Sequence, residues 1–267
     1  MGAVYVDPDA PTWTDKASTD FRATGWGATW AILILPQIEQ QALHTRYNFS
    51  LPSINSINTQ VTQTPLAIMK CPSAGYMKPS NSPNGIGGIY DKGNYAVAAG
   101  GKVANQNDDP NGWRGPNKAA FSIRPMEAIT LADIRDGASN TIFMSEIIGH
   151  DTDDDCRGCW GRVGGSVFSQ HTLSTSDQWI ATPNAPTKLS INLYDCPIHC
   201  NQNLGYPNCQ DCSGDGDAGG NAARSWHPNG VNCALADGSN RFVTNGVDRF
   251  VWRGALTVRA QETPGQF

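Results

Sequence analysis

Apolar residues at Trp30, Leu33, Ile34, Ile38, Ala42 and Leu43 recur at close to helical spacing, and Gln37, Glu39, Gln40 and Gln41 supply a wet side. That pattern predicts an amphipathic helix. Pro36 suits the first turn of a helix better than its interior, so the helix is expected over residues 36–46. A second, short helix is expected over 63–69, delivering Cys71-Pro72 at its end. The pattern then changes to a run of β-prone residues, Thr141-Ile142-Phe143-Met144-Ser145-Glu146-Ile147-Ile148, the best strand in the chain and the one expected at the centre of a sheet. Shorter strands are expected near 95–98, 165–169 and 189–193. Near the C-terminus two apolar runs flank Asp237-Gly238, which predicts a β-hairpin with a tight two-residue turn whose central positions both need positive φ. Residues 247–260 are expected to complete the sheet.

Between these elements the chain is loop-like. Residues 73–118 are rich in Gly, Asn, Pro and Ser, and residues 150–225 form a second insertion rich in Cys and Asp. With 28 glycines and 17 prolines, and no internal repeat, long connections are required. The order helix, strands, hairpin gives an α+β class, an antiparallel sheet packed on one or two helices, over one domain spanning 1–267. A net charge of −5 without Lys/Arg clusters argues against a nucleic-acid or anionic-membrane surface. No run approaches the roughly 20 apolar residues of a membrane helix, and no secretory signal pattern is visible.

Local motifs point to architecture before chemistry. In Asp136-Gly137-Ala138-Ser139-Asn140-Thr141, Asp and Asn can bond nearby backbone amides, Gly admits positive φ and Ser or Thr can cap, so a tight turn before the strand at Ile142 is expected. His227 could act as a base oriented by Asp237; the preferred reading is that Trp226 and His227 lead into the hairpin. Ser139 and Ser145 lack a nucleophile elbow, and neither a paired-His metal motif nor a phosphate loop is present. His44 falls on the predicted helix, and His150, His171 and His199 are scattered in loops. No enzyme class emerges.

Eight cysteines, Cys71, Cys156, Cys159, Cys196, Cys200, Cys209, Cys212 and Cys233, favour a disulfide framework whose connectivity is open, since eight cysteines allow about 105 pairings. The rival is a four-thiolate zinc site from Cys156, Cys159, Cys209 and Cys212, disfavoured by the long gap between the pairs; a thioredoxin-like redox role is weaker still. Acidic residues suggest calcium, with Asp211, Asp215 and Asp217 alternating with Ser and Gly as the better candidate and Asp153 and Asp155 as the other. A solvated acidic loop explains both equally well. Eight tryptophans leave room for an exposed aromatic platform, although core packing accounts for most.

Several blocks together resemble one bacterial family. These are Trp26-Gly27-Ala28-Thr29-Trp30 with Leu35-Pro36-Gln37-Ile38-Glu39-Gln40-Gln41-Ala42-Leu43 and Tyr47-Asn48-Phe49-Ser50; Cys71-Pro72-Ser73 with Asn94-Tyr95-Ala96; Asp136-Gly137-Ala138-Ser139-Asn140-Thr141 running on to Glu146; and His227-Pro228-Asn229-Gly230-Val231-Asn232 leading to Asp237-Gly238-Ser239-Asn240-Arg241-Phe242. The chain is similar to secreted planctomycete proteins of unknown function, once labelled solute-binding protein family ten, which open with a prepilin-type cleavage and methylation segment. That opening has no counterpart at Met1-Gly2-Ala3-Val4, so a soluble fragment or processed form is expected. The resemblance implies a pilin-like sheet stacked on an N-terminal helix, with disulfide-stapled loops, outside the cytoplasm and assembling as a homo-oligomer or filament through the missing helix. It makes the Asp136–Thr141 turn, His227, Gly230, Asn232, Asp237, Gly238 and Arg241 structural positions. Two other readings stand beside this non-enzymatic headpiece: a secreted glycan- or ligand-binding module, and a metal-dependent enzyme, the least supported.

Overall fold

A computed structural model describes residues 3–5, 26–51, 53, 55–81, 89–99, 119–121, 129–149, 155–162, 165–169, 180–185 and 221–259. Its centre is a five-stranded sheet in the order β7-β5-β6-β8-β9. The strands are β5 (Tyr95–Ala98), β6 (Ile142–Glu146), β7 (Val167–Phe168), β8 (Gly230–Leu235) and β9 (Asn240–Thr244). As expected, β6 is central. It pairs antiparallel with β5 through Tyr95↔Glu146 and with β8 through Ser145↔Cys233. The sheet is not wholly antiparallel, however: β7 runs parallel to β5, with Val97 opposite Val167. The connection after β6 passes β5 and lays β7 on its far edge, a non-local crossover that strand patterns do not encode.

The period of 2 along a strand sorts the sheet's residues into two cores. Val97 of β5 joins Trp30, Ile32, Leu35, Leu43, Val61 and Trp160 on one side. Its neighbours Ala96 and Ala98 join Ile142, Phe168, Val231, Leu235, Val243, Trp252 and Leu256 on the other. The first core is roofed by α1 (Trp30–Leu33), α2 (Gln41–Arg46) and α3 (Ser56–Thr62). The second is closed by α4 (Arg249–Ala255). Two small antiparallel pairs complete the described part: β1 (Ala3–Tyr5) with β2 (Trp26–Thr29), and β3 (Ser80–Asn81) with β4 (Ile89–Tyr90).

The helix expected over 36–46 is broken. Leu35–Ile38 forms a 3-10 turn with Pro36 near its start, Glu39 takes a left-handed conformation (φ 62°), and α2 begins only at Gln41. The short helix expected over 63–69 lies earlier, as α3, where the Asn55 side chain accepts from the Ile57 amide; only a 3-10 turn at Ala67–Met69 falls in the expected window. Residues 249–255 are helix, not strand. The Asp248 carboxylate caps the amides of Phe250 and Val251, and Trp252, Ala255 and Leu256 repeat at helical spacing on the buried face. The strand expected at 189–193 lies outside the described residues. Among the described residues no helix is long and apolar enough to cross a membrane.

The Asp136–Thr141 segment is a turn, as its residue types require. Gly137 has φ of 94°, the Asn140 amide donates to Gly137 O at 3.0 Å, and the Thr141 hydroxyl donates to the same carbonyl at 3.1 Å. The hairpin tip docks onto it, since Asp237 N–H donates to Ala138 O and Ala236 N–H to Thr141 O. The tip departs from the two-residue expectation. Only Gly238 takes positive φ (85°); the Asp237 carboxylate instead accepts from the Ser239 amide and hydroxyl at 2.9 and 2.6 Å. Gly238 N–H reaches Leu235 O while Leu235 N–H reaches Ser239 O, the pattern of a turn closed by a glycine bulge. Those Ser239 bonds hold the Asp237 carboxyl below the ordinary value. Ser139 remains exposed.

Candidate functional site

Three polar side chains from separate segments converge at one end of the β6–β8 pair. Glu146, the last residue of β6, is only 3% exposed. A carboxylate buried at the end of a central strand must find partners, and Glu146 finds two. Its Oε2 accepts from the Asn232 amide at 2.7 Å and from Asn232 Nδ2 at 3.3 Å, while Oε1 lies 3.0 Å from His227 Nε2. The third member is Cys71, whose Sγ is 3.5 Å from His227 Nε2. The thiol sulfur, imidazole nitrogen and carboxylate oxygen all lie within 4.8 Å of one another. Ser73 lines the solvent side, its Oγ 3.0 Å from Cys71 Sγ and 3.3 Å from His227 Nε2. Burial first, then the charges of Cys71 and Glu146, push the Tyr95 hydroxyl up, which places Tyr95 beside the same cluster.

Asn94 fixes the cysteine. Its Oδ1 accepts the Cys71 amide at 2.9 Å and its Nδ2 donates to Ile147 O at 3.3 Å, so one buried side chain ties the Cys71 loop to the strand bearing Glu146. His227 is set by a second knot: Ser225 Oγ accepts the His227 amide and donates to Gly230 O at 2.6 Å. Asn229 adopts positive φ (68°), and a side chain at Gly230 would collide with Val243 O. The sharp turn over Pro228-Asn229-Gly230 therefore needs these residues. Replacing Asn94 with Ala strands the Cys71 amide and Ile147 carbonyl and is expected to cost about 2 kcal/mol. Urea denaturation checks it, and an unchanged midpoint would refute the clamp.

The other sequence-predicted residues are elsewhere. Asp237 does not orient His227; the whole of β8, about 20 Å of extended chain, separates the hairpin tip from the histidine, and Glu146 takes the place considered for Asp237. Arg241 stands opposite Cys233 in the β8–β9 register. Asp155 makes a buried pair with Arg157, which bonds both carboxylate oxygens. Asp153, Asp211, Asp215 and Asp217 lie outside the described residues.

No disulfide joins any of the described cysteines, Cys71, Cys156, Cys159 and Cys233, which corrects the stapled-loop expectation for these four. Cys71 faces His227, and Cys233 donates to Ser145 Oγ within the sheet at 3.4 Å. Cys156 and Cys159 share one tight turn, Cys159 N–H to Cys156 O, packed against Tyr90. Burial pushes the Cys159 and Cys233 thiols up to about 12, which makes them poor nucleophiles and argues against a redox role for the Cys156-x-x-Cys159 pair. Cys196, Cys200, Cys209 and Cys212 lie outside the described residues.

Fold and site together define a protein of mixed helix and strand, with one mixed sheet and a half-buried thiol–imidazole–carboxylate cluster at one end of its central strand pair. The model of the family described as "Protein of unknown function (DUF1559)" matches residues 7–249, and the chain belongs to that family. No curated protein and no solved structure matches it.

Proposed function

We propose that this chain is a non-enzymatic extracytoplasmic structural protein, the headpiece of a pilin- or pseudopilin-like subunit that assembles through a helix N-terminal to it. The observation that carries the structural reading is where the polar side chains of the family-like blocks end. Asn94, Glu146 and Asn232 direct their hydrogen bonds to backbone or side-chain groups of neighbouring segments, and Ser225, just before the last block, bonds the turn that follows it. They hold the Cys71 loop, β6 and the β8 lead-in as one unit.

An acid–base relay fits poorly. With Cys71 as nucleophile it needs one ring nitrogen for the orienting carboxylate and the other for the thiol, whereas Nε2 of His227 faces Glu146 and Cys71 alike; the Ser73 hydroxyl stands 3.3 and 3.5 Å from the two ring nitrogens, aimed at neither alone. The assembly half of the proposal rests on the resemblance to proteins with a prepilin-type segment. It also suits β9, an edge strand of the sheet bearing the exposed Phe242, because edge strands invite pairing with another chain.

Intact mass and terminal sequencing of the protein from its native cells test this reading. A methylated aromatic residue heading an apolar helix upstream is the expected result. A released chain starting near residue 1 would overturn it in favour of a secreted ligand- or glycan-binding module. Trp226 and Tyr76, 59% and 73% exposed, are the aromatic surfaces such a module would use, and Trp226 adjoins His227.

A further inference from the structure

We infer that Cys71, His227 and Glu146 form a binding site for a single thiophilic divalent cation, with zinc the best match, which clasps the Cys71 loop to the β6–β8 pair. The donor set is one thiolate, one imidazole and one carboxylate, each a common zinc ligand, and three protein ligands leave one position of a tetrahedron for water. Zinc–ligand bonds of about 2.0–2.3 Å at tetrahedral angles put neighbouring donor atoms roughly 3.3–3.7 Å apart. The observed separations are 3.5 Å for sulfur to nitrogen and 3.0 Å for nitrogen to oxygen, close enough that small side-chain rotations would admit the ion. The mixed soft and hard donors suit zinc better than calcium, which takes six to eight oxygens.

The surroundings resemble a supported ligand shell. Glu146 presents Oε1 to the cluster while Asn232 occupies Oε2 twice, the outer bonding that orients a coordinating carboxylate. The Cys71 amide is held by Asn94 and the His227 amide by Ser225, so two of the ligands stand on backbone that is fixed before the ion arrives. Ser73 Oγ, exposed and close to both sulfur and imidazole, is placed to hydrogen-bond a metal-bound water. The cluster joins residues 71, 146 and 227, so an ion here ties together segments distant in sequence. Binding to the folded state alone raises stability with ligand concentration.

This site goes beyond the headpiece reading and is independent of it, since a filament subunit or a secreted module could equally carry it. The test uses the purified full chain with Zn²⁺ and Co²⁺ as probes. Metal analysis after dialysis and the absorption spectrum of the cobalt form are compared for wild type, C71S, H227Q and E146Q. One metal per chain, a thiolate-to-cobalt charge-transfer band with the strong d–d bands of four-coordination, and a melting temperature that rises with zinc are expected. C71S should abolish the charge-transfer band, and C71S and H227Q should each weaken zinc binding at least about 100-fold, more than an outer-shell change costs. Asn232→Ala, which leaves all three ligands in place, should weaken it by about 10-fold. A zinc-dependent melting shift in wild type that is absent in C71S separates lost binding from lost folding, provided the metal-free proteins melt alike. If the metal-free C71S is unfolded, C71A and H227Q decide by the same comparison. Metal at background in wild type, a cobalt spectrum unchanged in C71S, or Cys71 found cross-linked by non-reducing peptide mapping would each overturn the inference.

Discussion

Replacing Asp155 with Ala is expected to destabilise the protein by about 3–5 kcal/mol. The Asp155 and Arg157 side chains are essentially inaccessible. Asp155 Oδ1 accepts from the Arg157 amide at 2.9 Å and from Nε at 3.0 Å, and Oδ2 accepts from Nη2 at 2.8 Å. Truncation removes a buried negative charge and its hydrogen bonds from the guanidinium, and Lys92, also fully buried, loses a nearby negative charge. Breaking one side of such a pair costs far more than the pair contributes over a well-packed apolar replacement. The double variant Asp155→Leu with Arg157→Met should therefore be more stable than Asp155→Leu alone, a non-additivity that a double-mutant cycle in urea measures. A loss below about 1 kcal/mol for Asp155→Ala would contradict this account.

The same pair fixes the sign of an acid effect. Burial raises the Asp155 carboxyl, but the charge and hydrogen bonds of Arg157 outweigh that and hold it below the ordinary 3.8. A carboxyl depressed on folding contributes stability that is fully present above its unfolded value and is lost as pH falls through the folded one. Wild type should thus lose stability on acidification below about pH 4 more steeply than Asp155→Ala. Parallel acid limbs would show that Asp155 does not carry the effect.

Local signals are legible in the sequence and non-local ones are not. The β6 strand, the Asp136–Thr141 turn and the hairpin around Gly238 depend on residue types within a few positions, and each forms where expected. The break at Glu39 was invisible because nothing in Gln37-Ile38-Glu39-Gln40 marks a left-handed residue; the Gln40 amide bonding back to Leu35 O makes that turn. Val247 and Phe250-Val251-Trp252 resemble a strand by composition, yet Asp248 was a readable helix cap. The parallel β7 follows from a crossover that no strand pattern announces. At the site, Cys71, Glu146 and His227 each belong to one of the family-like blocks, but sequence proximity points His227 to Asp237, while its partner lies 81 residues away. The readable clue was Glu146 itself, a carboxylate closing a β-prone central strand that needs a buried partner.

Gly158 shows how far the site's support extends, and Gly158→Ala is expected to cost about 3 kcal/mol or more. Its φ of 85° lies where a side chain is strained, and a methyl group there would meet the Gly93 carbonyl oxygen deep inside contact distance. The obstacle is backbone, so no rotamer change relieves it. Gly158 O accepts from Gly93 N–H at 2.7 Å, Gly158 N–H donates to Gly165 O at 2.9 Å, and Cys159 bridges Lys92. The crossing thus packs the Cys156–Cys159 turn directly onto the backbone that precedes Asn94. Because Asn94 holds the Cys71 amide, separating the crossing by the width of a methyl group should also displace Cys71 from His227. Gly75→Ala is the control: it lies in open space with no atom within 4 Å of an added methyl and should be within about 0.5 kcal/mol of wild type. Urea midpoints for the two variants, with the rate at which Cys71 is alkylated as the local readout, decide the matter. If Gly158→Ala matches Gly75→Ala in both, the crossing is not what positions the cysteine.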